Sequence, residues 1–184
     1  MEELGKYVIV YLIKGEAREY HNKLISRICE RFPIYKVNDI IESHLTLKYF
    51  NQLLNLSQLK EIEENLDAFC QSHRRASLKL QGIGYFDKNV IFIDVEPSKE
   101  MKTLYSELVI SLENLKWIEW LQYDKINMHF HATLAEGEGL QKNFEEVYTS
   151  LSKEKPNFEL CLDNICILHK PHNKWILYRE FKLS

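Results

Sequence analysis

The sequence lacks an excess of charge of either sign and has few cysteines. Its 24 lysines and arginines stand against 27 aspartates and glutamates, for a formal net charge of -3. Such a surface gives no general electrostatic hold on duplex nucleic acid, so any nucleic-acid or phosphate ligand must be held locally. The four cysteines are too few and too scattered for a disulfide framework, and no pair has the two-residue spacing of a zinc or redox motif. We expect four reduced, buried cysteines.

The sequence also lacks a long hydrophobic run. Residues 7–13 are apolar but too few to span a bilayer, and the acidic N-terminus before them does not have the layout of a signal peptide. We therefore expect a cytoplasmic protein with no membrane partner and no obligate protein partner. What the chain does have is 184 residues, of which 45% are hydrophobic. This is enough for a sizeable core, in one compact domain or two small lobes, and it excludes a disordered tail.

Strand-like and helical patterns alternate along the chain, and their order occurs approximately twice. We expect Ser57 to cap one of the helices and Pro97 and Ser98 to open another. The order predicts an α+β protein with two pseudo-symmetric lobes, each an antiparallel sheet flanked by helices, and a cleft between the lobes. We expect one bilobal domain over residues 1–184, with an internal repeat of roughly 1–89 and 90–184, and the pattern leaves open whether the lobes exchange strands. The predicted strands cover residues 7–13, 43–50, 77–86, 90–95, 129–134, 158–168 and 175–178, and the predicted helices cover residues 17–32, 57–70, 98–112 and 144–151.

The pattern His-x-Thr-Leu occurs once in each half, at the same point in the order of elements. The first copy begins with His44 and Thr46, and the second with His131 and Thr133. Side chains at positions i and i+2 of a strand share a face, so each histidine stands beside its threonine while the leucines point to the core. One such motif is a weak signal, but two copies in equivalent places favour a functional role. A pseudo-twofold relation between the lobes predicts that the two pairs face each other.

Two facing imidazoles suit a reaction that needs one proton removed and another supplied. A histidine pKa near 6.5 allows one ring to be neutral and the other protonated close to neutral pH. The two threonine hydroxyls can donate hydrogen bonds to the non-bridging oxygens of a phosphodiester, where negative charge develops in the transition state. None of these groups requires a metal. The pattern therefore predicts metal-independent phosphodiester cleavage without a cofactor.

These motifs resemble those of the two-histidine (2H) phosphoesterase superfamily, most closely its 2′-5′ RNA ligase-like proteins and RNA 2′,3′-cyclic phosphodiesterases. The resemblance covers nearly the whole chain and is carried by residues 44–50 (HLTLKYF), 82–86 (GIGYF) and 131–134 (HATL). It implies a bilobal α+β fold and cleavage or formation of a phosphodiester at the RNA 2′ position. Acidic residues follow the second motif at Glu136 and Glu138, where many members have a basic residue, and we expect a short substrate.

Transferred residue by residue, the resemblance implies that His44, Thr46, His131 and Thr133 form the catalytic set. One histidine activates water, the other protonates the departing ribose oxygen, and the threonines hold the phosphate; the near-symmetric site leaves open which histidine is the base. We expect a hydrolase that converts 2′,3′-cyclic phosphate ends of RNA or nucleotides to 2′-phosphomonoesters. The alternatives are a 2′-5′ oligoadenylate phosphodiesterase, a 2′-5′ RNA ligase and, in another class, a non-catalytic RNA-end or nucleotide-binding protein. Expected partners are short RNA ends, oligonucleotides or cyclic nucleotides.

Four further residues are candidates for substrate binding. Lys48 lies on the Thr46 face if alternation continues along the strand, where it can neutralise a phosphate. Tyr49 and Tyr123 can stack on a base. His129 shares the face of His131 and can bond a substrate oxygen or play a supporting structural role; zinc binding by these two histidines is the weaker interpretation. Residues 74–75 and 169–174 form local basic patches at turns, and the second contacts an RNA backbone if its hairpin flanks the cleft.

Overall fold

The structure is a computed structural model and describes residues 4–184. This part of the chain contains eight strands and five helices, with a short 3-10 turn in the connection that leads to the fifth strand. The strands are β1 (Tyr7–Leu12), β2 (His44–Tyr49), β3 (Ala76–Phe86), β4 (Val90–Pro97), β5 (His131–Glu136), β6 (Asn157–Leu162), β7 (Asn164–His169) and β8 (Ile176–Lys182), the helices are α1 (Gly15–Arg31), α2 (Val37–Ile40), α3 (Leu56–Ser72), α4 (Lys99–Glu113) and α5 (Glu138–Leu151), and the 3-10 turn is Lys125–Asn127.

The strands form two four-stranded antiparallel sheets, in the orders β2-β1-β7-β8 and β5-β4-β3-β6. This confirms the predicted α+β class with two sheets flanked by helices. The strands that carry the two His-x-Thr motifs, β2 and β5, lie at equivalent edges of their sheets. The first sheet takes two strands from each end of the chain, whereas the second takes four from its middle.

The predicted strand at residues 158–168 is wrong, because the chain divides there between the two sheets. Asp163 separates β6, in the second sheet, from β7, in the first. Asn164, which is fully buried, holds the crossing in place. Its side-chain amide accepts a hydrogen bond from the Leu12 N–H at 3.0 Å and donates one to the Leu12 carbonyl at 3.2 Å. A buried amide with both groups satisfied pins the start of β7 to the end of β1.

Both motif strands contain a β-bulge directly after the threonine. Consecutive residues of β1 pair with Thr46 and Lys48, which leaves Leu47 extra, and consecutive residues of β4 pair with Thr133 and Ala135. The extra residue breaks the alternation of side chains. The prediction that Lys48 lies on the Thr46 face is therefore wrong, and its side chain points into the protein with 0% exposure.

The helices and both sheets contribute to one continuous apolar core. The predicted apolar stripes of the long helices are buried, as are the motif leucines Leu45, Leu47 and Leu134. A second, smaller apolar cluster covers the other face of the first sheet and is formed by Val8, Val10, Leu12, Cys166 and Leu168, with Ile41 and Trp175 packed against it.

The caps of two helices test the sequence predictions directly. The predicted start of α4 at Pro97 and Ser98 is confirmed, and Ser98 is its N-cap, since its hydroxyl accepts a hydrogen bond from the Met101 N–H at 3.0 Å. The prediction of Ser57 as the cap of α3 is wrong, because Asn55 and Gln58 form a reciprocal capping box with bonds of 2.8 and 3.1 Å. This arrangement satisfies two backbone donors at once and starts the helix at Leu56.

The cysteines and the hydrophobic segments agree in part with expectation. All four thiols are free; Cys70 and Cys166 are buried as expected, Cys29 is half-buried, and Cys161 is exposed on β6, where the expectation of burial is wrong. Among residues 4–184, none of the helices combines the length and hydrophobicity needed to cross a membrane.

Candidate active site

The two motif histidines make the same local hydrogen bond. Nδ1 of His44 lies 2.7 Å from the carbonyl oxygen of Glu42, and Nδ1 of His131 lies 2.8 Å from that of His129. A carbonyl oxygen can only accept, so Nδ1 carries the proton in both rings. In the neutral ring Nε2 is then a proton acceptor. Within the described residues, neither Nε2 has a hydrogen-bond partner.

The structure brings the two histidines together where the edge strands β2 and β5 meet. Burial, together with a smaller effect of the charge of His131, lowers the pKa of His44 to about 4. Burial also lowers the pKa of His131. Both rings are therefore neutral at neutral pH before a ligand binds, and the coupling shows that a proton on one disfavours a proton on the other.

The two threonines accompany their histidines as predicted. Thr46 and Thr133 are each partly exposed and lie two residues after His44 and His131 in their strands. Their hydroxyls make no hydrogen bond to any of residues 4–184. They are consequently available as donors to an oxyanion, which is what phosphate binding at this point requires.

An acidic residue makes the site asymmetric. Asp94 of β4 lies opposite His131 in the sheet register, and its carboxylate oxygen lies 2.8 Å from Nε2 of His129. The negative charge of Asp94 raises the pKa of His131, against the effect of burial. The corresponding position opposite His44 is occupied by Leu12, which carries no charge. Sequence reasoning missed Asp94, although a single carboxylate inside the apolar segment 90–95 was a signal.

Aromatic rings form the wall behind His131. The ring centroids of Phe86 and Phe92 both lie 5.0 Å from that of His131, and they contact His129 at 5.2 and 5.5 Å. Gly84 makes room for this packing, because a Cβ placed there would come within 2.5 Å of the Phe92 ring. The wall limits the rotation of the His131 ring and excludes water from one side of it.

A third histidine, which sequence reasoning also missed, lies behind both motifs. His21 of α1 is 2% exposed, and its Nδ1 lies 2.8 Å from the hydroxyl of Ser43. The backbone of Ala132 and Thr133 approaches the same ring from β5. Burial lowers its pKa to about 4, so the ring is neutral at neutral pH. His21 thus supports the two motif strands from the core side.

Of the four predicted substrate-binding residues, Lys48 is already engaged and Tyr123 is exposed. Lys48 donates to the carboxylate of Asp124 at 2.5 Å and to the carbonyl of Glu119 at 2.7 Å, and its ammonium lies 4.7 Å from the centroid of Trp120. It is a structural cation, so it is not available to a phosphate in this arrangement. Tyr123 is 65% exposed in the connection between α4 and β5.

The other two lie beside the motifs. Tyr49 is 39% exposed, and its ring meets that of Trp175 edge to face, with centroids 6.5 Å apart. His129 stands next to His131 and is engaged with Asp94. Within the described part of the chain, no group of three or more His, Cys, Asp or Glu side chains has the arrangement of a metal site.

A comparison with protein-family models finds a match that covers most of the chain. The family model described as the 2′-5′ RNA ligase superfamily matches residues 17–174, a range that contains both His-x-Thr pairs. The chain belongs to the 2′-5′ RNA ligase superfamily. This confirms the resemblance to 2H phosphoesterases that the motifs indicated. Among curated proteins, the comparison found no match.

Solved structures share the superfamily fold at low sequence identity. E. coli LigT complexed with 3′-AMP superposes with a TM-score of 0.67 and 14% identity over 99% of both chains. The protein TT0787 of Thermus thermophilus gives 0.67 and 14% over 97% of both chains, and a protein described as a phosphoesterase gives 0.66 and 13% over 99%. These similarities confirm the two-sheet architecture of the superfamily member described here.

Proposed function

We propose that this superfamily member is a metal-independent phosphodiesterase that hydrolyses 2′,3′-cyclic phosphate ends of RNA or nucleotides to 2′-phosphomonoesters in the cytoplasm. One observation carries the proposal. Two imidazoles with the same Nδ1-to-carbonyl hydrogen bond present unpartnered Nε2 atoms beside two free threonine hydroxyls. Solved structures of E. coli LigT with 3′-AMP and with NADP+ support a nucleotide as the occupant of such a cleft.

In the proposed reaction the two histidines exchange one proton each with the reactants. The neutral base takes a proton from water through Nε2 as the water oxygen bonds to phosphorus. The bond between phosphorus and the 3′ oxygen breaks, and the protonated acid donates its Nε2 proton to that oxygen. Thr46 and Thr133 donate hydrogen bonds to the non-bridging oxygens, whose negative charge increases in the transition state. The products are a 2′-phosphate and a free 3′-hydroxyl.

The asymmetry of the site supports an assignment of the two roles. The acid must be protonated when the substrate binds, and Asp94 favours a proton on His131. His44 lies opposite the apolar Leu12, and burial and the neighbouring histidine both keep it neutral. We therefore assign His44 as the base and His131 as the acid. The bound phosphate adds a negative charge, which makes protonation of the acid easier still.

The proposal is tested with three substrates and two variants. The purified protein is incubated with a 2′,3′-cyclic-phosphate oligonucleotide, a 2′-5′ oligoadenylate and a 3′-5′ control, with and without a chelator. We expect turnover of the first, insensitive to the chelator, and a 2′-phosphate product by phosphorus NMR. His44→Ala and His131→Ala are each expected to lower kcat by about 10²- to 10⁴-fold. His73→Gln, at the end of α3, is the control and keeps wild-type turnover.

Each other outcome points to a different function. Activity that survives in both alanine variants contradicts the paired-histidine mechanism, and loss of activity with the chelator contradicts metal independence. Preferential turnover of the oligoadenylate indicates a 2′-5′ phosphodiesterase, and joining of ends indicates a ligase. Binding without turnover of all three substrates indicates a non-catalytic RNA-end or nucleotide-binding protein.

A further inference from the structure

The turn between β7 and β8 carries basic side chains and the half-buried ring of Trp175, which contacts Tyr49 at the end of β2. We propose that this turn extends the cleft into a binding surface for single-stranded RNA, so that the preferred substrate is an RNA end of a few nucleotides and not a mononucleotide. The inference rests on the function proposed for the cleft. It adds the class of substrate and the residues that select it.

The surface begins on the same face of the first sheet as the catalytic pair. Thr46 pairs with Val10 and Tyr49 pairs with Val8, and positions 8 and 10 of β1 share one face, so the side chains of Thr46 and Tyr49 do as well. Three residues of strand separate them, roughly 10 Å. A nucleotide attached to a phosphate at Thr46 can therefore reach the Tyr49 ring.

Tyr49, Trp175 and Lys170 form what we call the stacking platform. The Trp175 ring lies edge to face against Tyr49, and the Lys170 ammonium lies 5.7 Å from the centroid of Trp175. The Trp175 side chain packs against the small apolar cluster of the first sheet. The backbone N–H of Trp175 donates a hydrogen bond to the Ile40 carbonyl at 2.8 Å. Single-strand binders combine aromatic rings, on which bases stack, with nearby cations that hold the phosphate backbone, and the platform provides both.

The platform continues around the end of the sheet into a cavity of about 780 Å³, which we call the tip groove. The rings of Tyr7 and His169 stack there with centroids 4.7 Å apart, and Tyr178 is 46% exposed. Lys170 belongs to both the platform and the groove. The residues that line the groove are Leu4, Gly5, Lys6, Tyr7, Leu53, Leu56, His169, Lys170, Pro171, His172, Asn173 and Tyr178.

The charge of this region is opposite to that of the whole chain. The formal net charge is -3, yet none of the groove's lining residues is acidic. Within residues 4–184, no acidic side chain forms an ion pair with Lys6, Lys170 or Lys174. Cations next to aromatic rings fit a polyanion with aromatic bases, and Lys170, which the groove shares with the platform beside Tyr49, favours RNA over an unrelated anionic surface.

The test measures how KM depends on substrate length. Cyclic-phosphate substrates of one to six nucleotides are compared for the wild type, for Tyr49→Ala and for the double variant Lys170→Glu with Lys174→Glu. The control is Arg74→Glu with Arg75→Glu, which makes the same change of charge at the other basic patch. Binding of a hexanucleotide with a 3′-hydroxyl end is measured in parallel by fluorescence anisotropy, because that readout does not require turnover.

We expect the wild-type KM to fall as the substrate lengthens. Tyr49→Ala and the double variant Lys170→Glu with Lys174→Glu should each raise the hexanucleotide KM about tenfold more than the mononucleotide KM. The control variant should change neither KM. Equal KM values for all lengths, or equal changes for short and long substrates, would overturn the proposal. So would binding of the region to phosphatidylserine vesicles without any binding of the hexanucleotide. If no substrate is turned over, anisotropy still decides this proposal separately from the catalytic one.

Discussion

At the level of single residues, burial and the nearby charges, among them Asp94, set the protonation of the catalytic pair. Desolvation lowers the pKa of both histidines, to about 4 for His44, so a reaction that needs one protonated ring must recover a proton against this effect. Asp94 supplies part of the compensation through its negative charge, which raises the pKa of His131. The bound phosphate supplies more, since an anion next to an imidazole stabilises the charged form.

Replacing Asp94 should therefore change the pH profile in a defined direction. In Asp94→Asn the charge that raises the pKa of His131 is absent, so that pKa falls. The acid then loses its proton at lower pH, and the alkaline limb of the kcat/KM profile should move to lower pH while the acidic limb stays in place. The limbs report apparent values for the coupled pair. The measurement is kcat/KM against pH for the variant and the wild type.

The matched control is Glu96→Gln, two residues further along β4. It removes the same charge from the same face of the strand at a greater distance from His131. We expect its profile to overlay that of the wild type. An alkaline limb that does not move in Asp94→Asn, or that moves to higher pH, would contradict the assignment of His131 as the acid.

At the level of strands and helices, the sequence predicts local pattern well and strand pairing poorly. Alternation places Leu45 and Leu47 in the core correctly, and the helical stripes and the start of α4 at Ser98 also agree with the structure. Alternation fails at Lys48 because a bulge depends on the partner strand, which the sequence of β2 alone does not specify. The link between Asp94 and His131 was missed for the same reason, since it exists only once the register of β4 and β5 is known.

The hairpin strand β3 offers a test of how the site wall is built. In Gly84→Ala the new Cβ would lie 2.5 Å from the Phe92 ring, which must then move toward His131. Overpacking of this kind costs about 1–3 kcal/mol of unfolding free energy, and we expect kcat to fall as the wall shifts. The double variant Gly84→Ala with Phe92→Leu removes the clashing ring atoms. It should be destabilised less than the sum of the single variants, as measured by urea unfolding. Additive effects would contradict the contact.

At the level of the whole molecule, links between the sheets hold the two motifs in one site. His21 in the helix after β1 approaches the backbone of β5. Tyr35 donates to the carboxylate of Glu136 at 2.6 Å across the same junction. Lys48 in β2 pairs with Asp124, in the connection that leads to β5. We propose that residues 1–184 form one bilobal domain with a repeat of roughly 1–89 and 90–184, in which β3 of the first half and β7 and β8 of the second are exchanged between the lobes.

The contribution of the Lys48–Asp124 pair to the free energy of unfolding can be measured. Both side chains are buried, at 0% and 6% exposure, and Asp124 also accepts a hydrogen bond from the Leu121 N–H at 2.7 Å. Lys48→Met leaves the carboxylate buried without its cation, which should lower the free energy of unfolding by about 3–5 kcal/mol. Adding Asp124→Asn removes the uncompensated charge but keeps an acceptor for Leu121. The double variant should therefore lose less than the sum of the two single variants in urea unfolding.

Lys125 is a matched control, because its ammonium also lies over Trp120, at 4.8 Å from the centroid, and also pairs with a carboxylate. The difference is solvent: the Lys125 and Glu113 side chains are 41% and 40% exposed. Water screens that pair, so Lys125→Met should cost no more than about 1 kcal/mol. If Lys48→Met is no more destabilising than Lys125→Met, the buried pair does not join the sheets. If Lys48→Met is more destabilising, the connection that leads to the second motif depends on Lys48, a residue that strand alternation alone would place on the substrate face.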